Sequence, residues 1–407
     1  MPSVDLPEAL RLLAARAGRW EVLAPRVLAS DEMVEQGPTR GGSFSGGEGA
    51  GRSRCDGEQA AVWLCSPLCP KNLRSSMSSM HFALTEDQQL LQRTADAFGA
   101  RHFTGSPVDG VWRQLADLGF VGLLGPESGG SVTDACVVAE VLGRYLAPVP
   151  YVGTAIAAAA MLRYARGDAE ALEELGRGEP FSVLLGRHLE EPDGEAVVAF
   201  DWTPGARGVV LGPDGTAMVH ELIAPQPVDD IDPLHPLCQV QGVPASVAKS
   251  EGARRARAIA WTGTAAWLTG LADGALQQAT EYAQQREQYG RPIGSFQAIQ
   301  HLCADMLVDV ETSRSVTYGA SWAVEHAPID EAERLASAAK SHAGAAALRT
   351  CEAGIQVLGG IGVTQEHNAH LRLRTAHLHN AAFGSAEAPL LLLADRVLQK
   401  DTIDGFA

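Results

Sequence analysis

Arg286 and the string after it, Glu-Gln-Tyr-Gly-Arg-Pro-Ile-Gly-Ser-Phe-Gln-Ala-Ile-Gln300, put a guanidinium at the end of one long helical stretch and open another. A guanidinium so placed offers a bidentate grip on pyrophosphate. Backbone amides at the helix start near Ser295 add partial positive charge for the same anion. Taken alone, Arg286 also suits a helix C-cap, where the macrodipole favours a cation. A second string, Gln356-Val-Leu-Gly-Gly-Ile-Gly362, carries Gly359 and Gly360. Without side chains there, backbone can come close to a bound group. With Phe296, Gln297 and Gln300 at their offsets, the two strings together favour a nucleotide pyrophosphate as ligand.

These residues need helices to hold them, and the chain supplies a helical, then β, then helical order. Thr85 with Gln88 makes a capping box that opens a helix to about Ala100, with Leu90, Leu91 and Phe98 on its apolar side. Trp112-Arg-Gln-Leu-Ala-Asp-Leu-Gly119 is a second helix closed by glycine. Further helices are predicted at about 133–147 and 153–165. From 181 to 250 short β-type runs appear (Ser182-Val-Leu-Leu, Ala196-Val-Val-Ala-Phe, Gly208-Val-Val-Leu), with Pro-Asp-Gly turns at 192–194 and 213–215. Helical periodicity then returns over 255–286, 295–325, 329–358, 366–379 and 385–399. Ala336, Ala343, Ala347 and Gly354 line one side of the third of these, which lets helices approach closely.

The fold class expected is mainly α with a small β domain. Its parts are an N-terminal helical domain at 80–178, a reduced middle β domain at 179–252 and a C-terminal four-helix bundle at 253–407. Residues 1–79 form an extension that is either disordered or begins upstream of the true start. It contains a possible helix at 6–23 and a Gly/Ser/Arg-rich run at 37–79 with little to bury.

Composition limits what such a chain can do. Among 407 residues, 46% are apolar and only 6% aromatic, which favours close-packed helices. The net charge is −17, and after residue 79 there are 23 basic against 40 acidic side chains. An acidic body repels phosphate backbones, so nucleic acid is not an expected partner. No stretch reaches the roughly 18 apolar residues that span a bilayer, and no secretory pattern opens the chain. A cytoplasmic protein without membrane segments is the expectation. Cys136, Cys238, Cys303 and Cys351 are scattered like small buried hydrophobes. Cys65-Ser-Pro-Leu-Cys69 lacks a second ligand pair for zinc. Glu366, His367 and His370 fit a helix start, with Glu366 as its cap, better than a metal site. No metal is expected.

The helix-β-helix order, Trp112-Arg-Gln-Leu-Ala-Asp-Leu-Gly-Phe-Val-Gly-Leu, Arg286-Glu-Gln-Tyr-Gly-Arg and Gln356-Val-Leu-Gly-Gly-Ile-Gly-Val resemble the acyl-CoA dehydrogenase family over roughly residues 81–400. That resemblance implies FAD as cofactor, an acyl-CoA substrate, and α,β-dehydrogenation of the thioester. In such a reaction a carboxylate takes the α-proton while the β-hydride passes to the flavin. It implies Arg286, Gln288, Tyr289 and Gln297 on one side of the ADP half of FAD. Gln356, Gly359 and Gly360 of a neighbouring subunit lie on the other, and Ser385 joins the cofactor-binding set.

Two departures bear on activity. The family's base is a Glu before Gly-Thr or Gly-Ser, yet this chain reads Ala382-Phe383-Gly384-Ser385. The alternative family position falls at Ala260, equally inert, and nearby Glu387 is more suited to the adenine end or solvent. The Thr-Glu-Pro and Gly-Ser-Asp strings that hold the flavin ring in the family are missing from 181–225. The segment Gly360-Ile-Gly-Val-Thr-Gln-Glu-His-Asn-Ala-His370 is similar to that of actinobacterial members working as paired, non-identical subunits on sterols or other bulky acids. The resemblance therefore implies a subunit without its own catalytic Glu, in a homo- or hetero-tetramer with a related chain, passing electrons to an acceptor such as electron-transfer flavoprotein. The rival readings are a flavin-dependent monooxygenase of the same superfamily and a non-catalytic structural subunit that completes a partner's FAD site.

Overall fold

A computed structural model describes residues 83–103, 110–126, 128–192, 197–222, 225–228, 232–241, 250–385 and 389–394. The 6–23 helix, the 37–79 run, Cys65, Cys69, Glu387 and most of the 192–194 turn and the 385–399 helix lie outside these residues. From Thr85 onward the chain forms one unit.

Helix α1, Glu86–His102, starts at the expected capping box, with both of its reciprocal hydrogen bonds made. Its buried stripe runs through Leu91, Ala95 and Phe98, which turns Leu90 to solvent at 58% exposure, contrary to the sequence reading. Helix α2, Val111–Asp117, closes on Gly119 in the left-handed region. Helix α3, Val132–Arg144, has a second capping box, Ser131 with Asp134. A π-type segment, Tyr151–Ala158, runs into α4, Ala159–Tyr164, and α5 spans Ala169–Gly176.

The β layer is one mixed six-stranded sheet in the order β4-β3-β1-β2-β6-β5. Its strands are β1 Phe181–Gly186, β2 Val197–Phe200, β3 Arg207–Leu211, β4 Ala217–Glu221, β5 Gln226–Pro227 and β6 Cys238–Val240. The parallel contact is β1 with β3, and the other pairings are antiparallel. Pro-Asp-Gly at 213–215 turns β3 into β4, with Gly215 left-handed and the Asp214 carboxylate accepting from Thr216 N–H at 2.9 Å. Alternation divides the faces. Val183, Leu185, Val198, Phe200 and Val209 join the main core shared with the helices, while Leu184, Val197, Ala199 and Val210 form a separate cluster on the other face.

Helix α6, Glu251–Gln285, is buried along most of its length and is the axis about which the other helices pack. Helices α7, Gln297–His326, and α8, Ile329–Leu358, form an antiparallel pair, and α9 covers Ala369–Ala381. The predicted small residues of α8 are where helices meet: Ala336, Ala343 and Ala347 are fully buried, and a Cβ on Gly354 would touch Ala275 of α6. Charges tie the layers together. Buried Glu140 of α3 accepts from Arg314 Nε of α7 at 2.6 Å and from Tyr318 Oη at 2.8 Å. Arg144 spans Asp96 of α1 and Asp273 of α6. Removing one member of such a buried pair costs about 3–5 kcal/mol, although the intact pair adds little beyond what apolar packing would. The four scattered cysteines are buried free thiols, as expected.

Candidate functional site

Arg286 is the C-cap of α6, and Ile293 N–H donates back to its carbonyl at 2.8 Å. Between them a two-residue-strand hairpin forms, β7 Glu287–Gln288 against β8 Arg291–Pro292. Tyr289 (φ 54°) and Gly290 (φ 77°) make its tip, the pair of left-handed residues that a type I′ turn requires. Glycine takes this conformation freely, but tyrosine does so at a cost. Tyr289 is nevertheless 94% exposed, so packing among the described residues does little to repay that cost. Arg291 lies over the Phe296 ring at 4.2 Å, and Tyr289 meets the same ring edge-on at 6.2 Å. Helix α7 begins directly after Phe296 without a side-chain cap, leaving first-turn amides at exposed Gln297 available to an anion.

At the other string, α8 ends at Leu358 and Gly359 turns into a short 3₁₀ stretch, Gly359–Val363. Gly359 needs its left-handed φ of 64°. Gly360 is different: its φ is ordinary and a Cβ there would meet nothing within 4 Å. Nothing among the described residues demands glycine at 360. Gln356, Gly359 and Gly360 are exposed, as are Ile361 and Val363, the latter at 70%.

The two strings share one end of the α7/α8 pair. Contacts between Met306 and Gly354, Asp309 and Arg349, and Thr312 and His342 fix an antiparallel register. Carried on to the start of α7, that register brings Gln297 level with the Gly359–Gly362 turn. Within one protomer both strings therefore lie at the same end of the bundle.

The region around the two candidate base positions is built differently. Phe383 sits after α9 with φ 62°, again left-handed, and Gly384 N–H donates to Leu189 O at 3.0 Å, tying this turn to the β layer. Trp261, next to Ala260 on α6, donates from Nε1 to the Phe383 carbonyl at 2.8 Å. Positions 260 and 383 are thus brought to one place. That place is filled. The Phe383 ring is 8% exposed and meets Phe200 of β2 edge-on at 5.7 Å. Phe200 also meets His379, which stacks on Trp267 at 5.3 Å. Ser385 is exposed beside this turn.

Three buried polar groups border the same nest, and sequence reasoning did not anticipate them. They are Asp201, just after β2, His235 before β6, and His379 of α9. Burial pushes the Asp201 carboxyl up to about 6 and holds His379 well below the ordinary histidine range. Lys340 of α8 is also buried. Its ammonium donates to Asn380 O at 2.7 Å, and burial lowers it to about 7. Glu366 is not the helix cap the sequence suggested: Ala369 N–H donates instead to His367 Nδ1 at 3.1 Å, because His367 lies one residue before the Asn368 N-cap.

The profile of the acyl-CoA dehydrogenase C-terminal domain matches residues 253–398. The acyl-CoA dehydrogenase IpdE2 of Mycobacterium tuberculosis is 34% identical over 310 residues, covering 72% of this chain and 91% of its own. Among solved structures, a variant of the Tcur3481–Tcur3483 steroid ACAD superposes with a TM-score of 0.66 at 27% identity, over 78% of this chain and 99% of its own. The ChsE4–ChsE5 complex of Mycobacterium tuberculosis gives 0.63 at 24% identity, over 80% and 99%. The chain belongs to the acyl-CoA dehydrogenase family. Among the described residues, no helix is long and apolar enough to cross a membrane.

Proposed function

We propose that this chain is the non-catalytic member of a two-component, FAD-dependent acyl-CoA dehydrogenase, with a related subunit supplying the glutamate base. One observation supports the reading: at Phe383, the position the sequence resemblance matches to the family's carboxylate, the ring packs edge-on against Phe200 in an aromatic nest that continues through His379 to Trp267. A phenyl ring accepts no proton.

FAD is a two-part ligand, and its parts fare differently here. The ADP half suits the exposed end of the bundle, where Arg286, Gln288, Tyr289, Gln297, Gln356, Gly359 and Gly360 all lie open. An unstrained, uncrowded Gly360 and a strained, exposed Tyr289 are both accounted for by a ligand or subunit lying against them. The flavin ring does not suit the filled nest around Phe383. In this reading the chain offers its bundle end to the ADP half of an FAD whose ring lies in the partner, with Ser385 contributing at the margin. When bound, the flavin accepts the hydride. Arg286 pairs with the pyrophosphate, and the glycines let backbone close on it. The substrate class is a bulky acyl-CoA, in keeping with the steroid ACAD relative. The assembly is a heterotetramer with a related subunit, the pairing of unlike chains being in keeping with the two-component name of the Tcur3481–Tcur3483 steroid ACAD. It acts in the cytoplasm with electron-transfer flavoprotein as acceptor.

The test is purification alone and with the related subunit, followed by flavin absorbance, native mass and acyl-CoA oxidation. The complex is expected to be yellow and active and the lone chain colourless. A lone chain that holds stoichiometric FAD and oxidises an acyl-CoA overturns the proposal.

A further inference from the structure

We propose that Asp201, His235 and His379 form a binding site for one divalent ion of the zinc class. The three side chains come from a loop, a second loop and a helix, and their donor atoms lie within 4.8 Å of one another. All three are almost wholly buried. Among the described residues, Asp201 Oδ1, both His235 nitrogens and His379 Nε2 have no hydrogen-bond partner. Each such orphan in a core costs about 1–3 kcal/mol, and one ion would take up three of them, one from each side chain.

The atoms that are paired orient the rest. His379 Nδ1 donates to Thr375 O at 3.1 Å, which leaves the Nε2 lone pair pointing into the cluster. Metal-bound histidines are held the same way, with the second ring N–H on a carbonyl or carboxylate. Asp201 Oδ2 accepts from Gly153 N–H of the π-type segment at 2.8 Å, leaving Oδ1 for the site. Asp201 itself is held at φ 55°, a left-handed conformation costly for a non-glycine residue and typical of sites that the surrounding structure over-determines. His235 Nδ1 stands 3.8 Å from Asp201 Oδ1, close to the roughly 3.4 Å between donors that tetrahedral zinc geometry implies.

Charge and donor type agree. One carboxylate and two neutral imidazoles suit a borderline divalent ion better than calcium or magnesium, which take oxygen ligands. Asp232 also acts on Asp201 and is a second negative charge nearby. Two carboxylates and one divalent ion leave little net charge to bury. The cation that faces the cluster is Lys340 of α8, whose ammonium already donates to Asn380 O. Trp267 and Phe200 wall the site, and a water would fill the fourth position of an ion held by three side chains. The ion would pin the sheet loops to α9 through the space beside Phe383. This inference does not depend on the partner-subunit reading.

The full-length chain is purified without chelator and its metal content measured, then stripped and titrated with cobalt(II), whose d–d absorption reports nitrogen and oxygen ligation. About one ion per chain and visible cobalt bands are expected. His379→Gln and Asp201→Asn should each drop the content at least tenfold, while His342→Gln, on the exposed α7/α8 seam, should not. If the variants fail to fold, the wild-type cobalt spectrum still decides. A folded wild-type chain that holds no metal as isolated and shows no bands with cobalt overturns the proposal. Metal retained in full by folded His379→Gln and Asp201→Asn overturns it equally.

Discussion

Restoring a carboxylate at position 383 tests whether the base was merely lost or its surroundings were rebuilt. In Phe383→Glu a buried phenyl is replaced by a group that needs water or a partner. Large-to-small changes at buried phenylalanines cost about 3–5 kcal/mol, and the edge-on contact with Phe200 adds roughly 0.5–1.5 kcal/mol to what is lost. At 8% exposure and beside the Phe200 ring, the new carboxylate is left largely desolvated. At about 2 °C per kcal/mol, the low end for a chain larger than 250 residues, the melt should fall by roughly 7–13 °C. Desolvation raises the glutamate's folded pKa above its unfolded value. Its deficit is therefore smallest below the unfolded pKa, grows as pH rises from the unfolded to the folded value, and is constant above it. Thermal unfolding by circular dichroism at pH 4.5 and 8, with acyl-CoA oxidation by the lone chain, measures both consequences. A variant that melts within a degree of wild type and gains dehydrogenase activity alone would show an open, usable pocket, and the rebuilt-site argument would fail.

Gly270→Ala should destabilise severely, by more than about 4 kcal/mol, because its Cβ would stand 1.9 Å from the Glu140 carbonyl oxygen and force α3 off α6; chemical denaturation checks this. Arg286→Ala should leave the melt within about 0.5 kcal/mol of wild type, since the side chain is exposed, yet lower FAD retention in the two-subunit complex. Gly360→Val should do the same, for an added Cβ meets nothing within 4 Å among the described residues. Unchanged flavin content in both variants would argue against any cofactor role for this end of the bundle. Lys340 titrates near 7 when folded and at its ordinary 10.5 when unfolded, so the unfolded chain holds the extra proton between those values. Stability should therefore rise with pH across that window, and Lys340→Met should flatten the slope in denaturant titrations at pH 7, 8.5 and 10.

Much of the fold follows from short-range chemistry that a linear reading captures. Thr85 with Gln88 and Gly119 mark helix ends, and Pro-Asp-Gly at 213–215 marks a hairpin. The 3.6-residue spacing of Leu302, Met306 and Val310 identifies a core face of α7, whose latter two members are buried. Each depends only on neighbours a few positions away. Leu90 was misplaced because which side of an amphipathic helix is buried depends on the partner it meets. Strands β4 to β6 escaped notice because they are short and half-polar, and they gain strand character from their neighbours in the sheet.

The candidate site divides in the same way. Arg286 and Gly359–Gly360 announce themselves by residue type, since a guanidinium at a helix end and paired glycines have few other uses. That both strings lie at one end of one chain depends on the α7/α8 register, which is set by side-chain contacts across helices. The nest around Phe383, and the meeting of Asp201, His235 and His379 from three distant segments, were decided by tertiary packing alone. No periodicity or spacing records such a meeting, because convergence is a property of how the β layer and the helices close on each other.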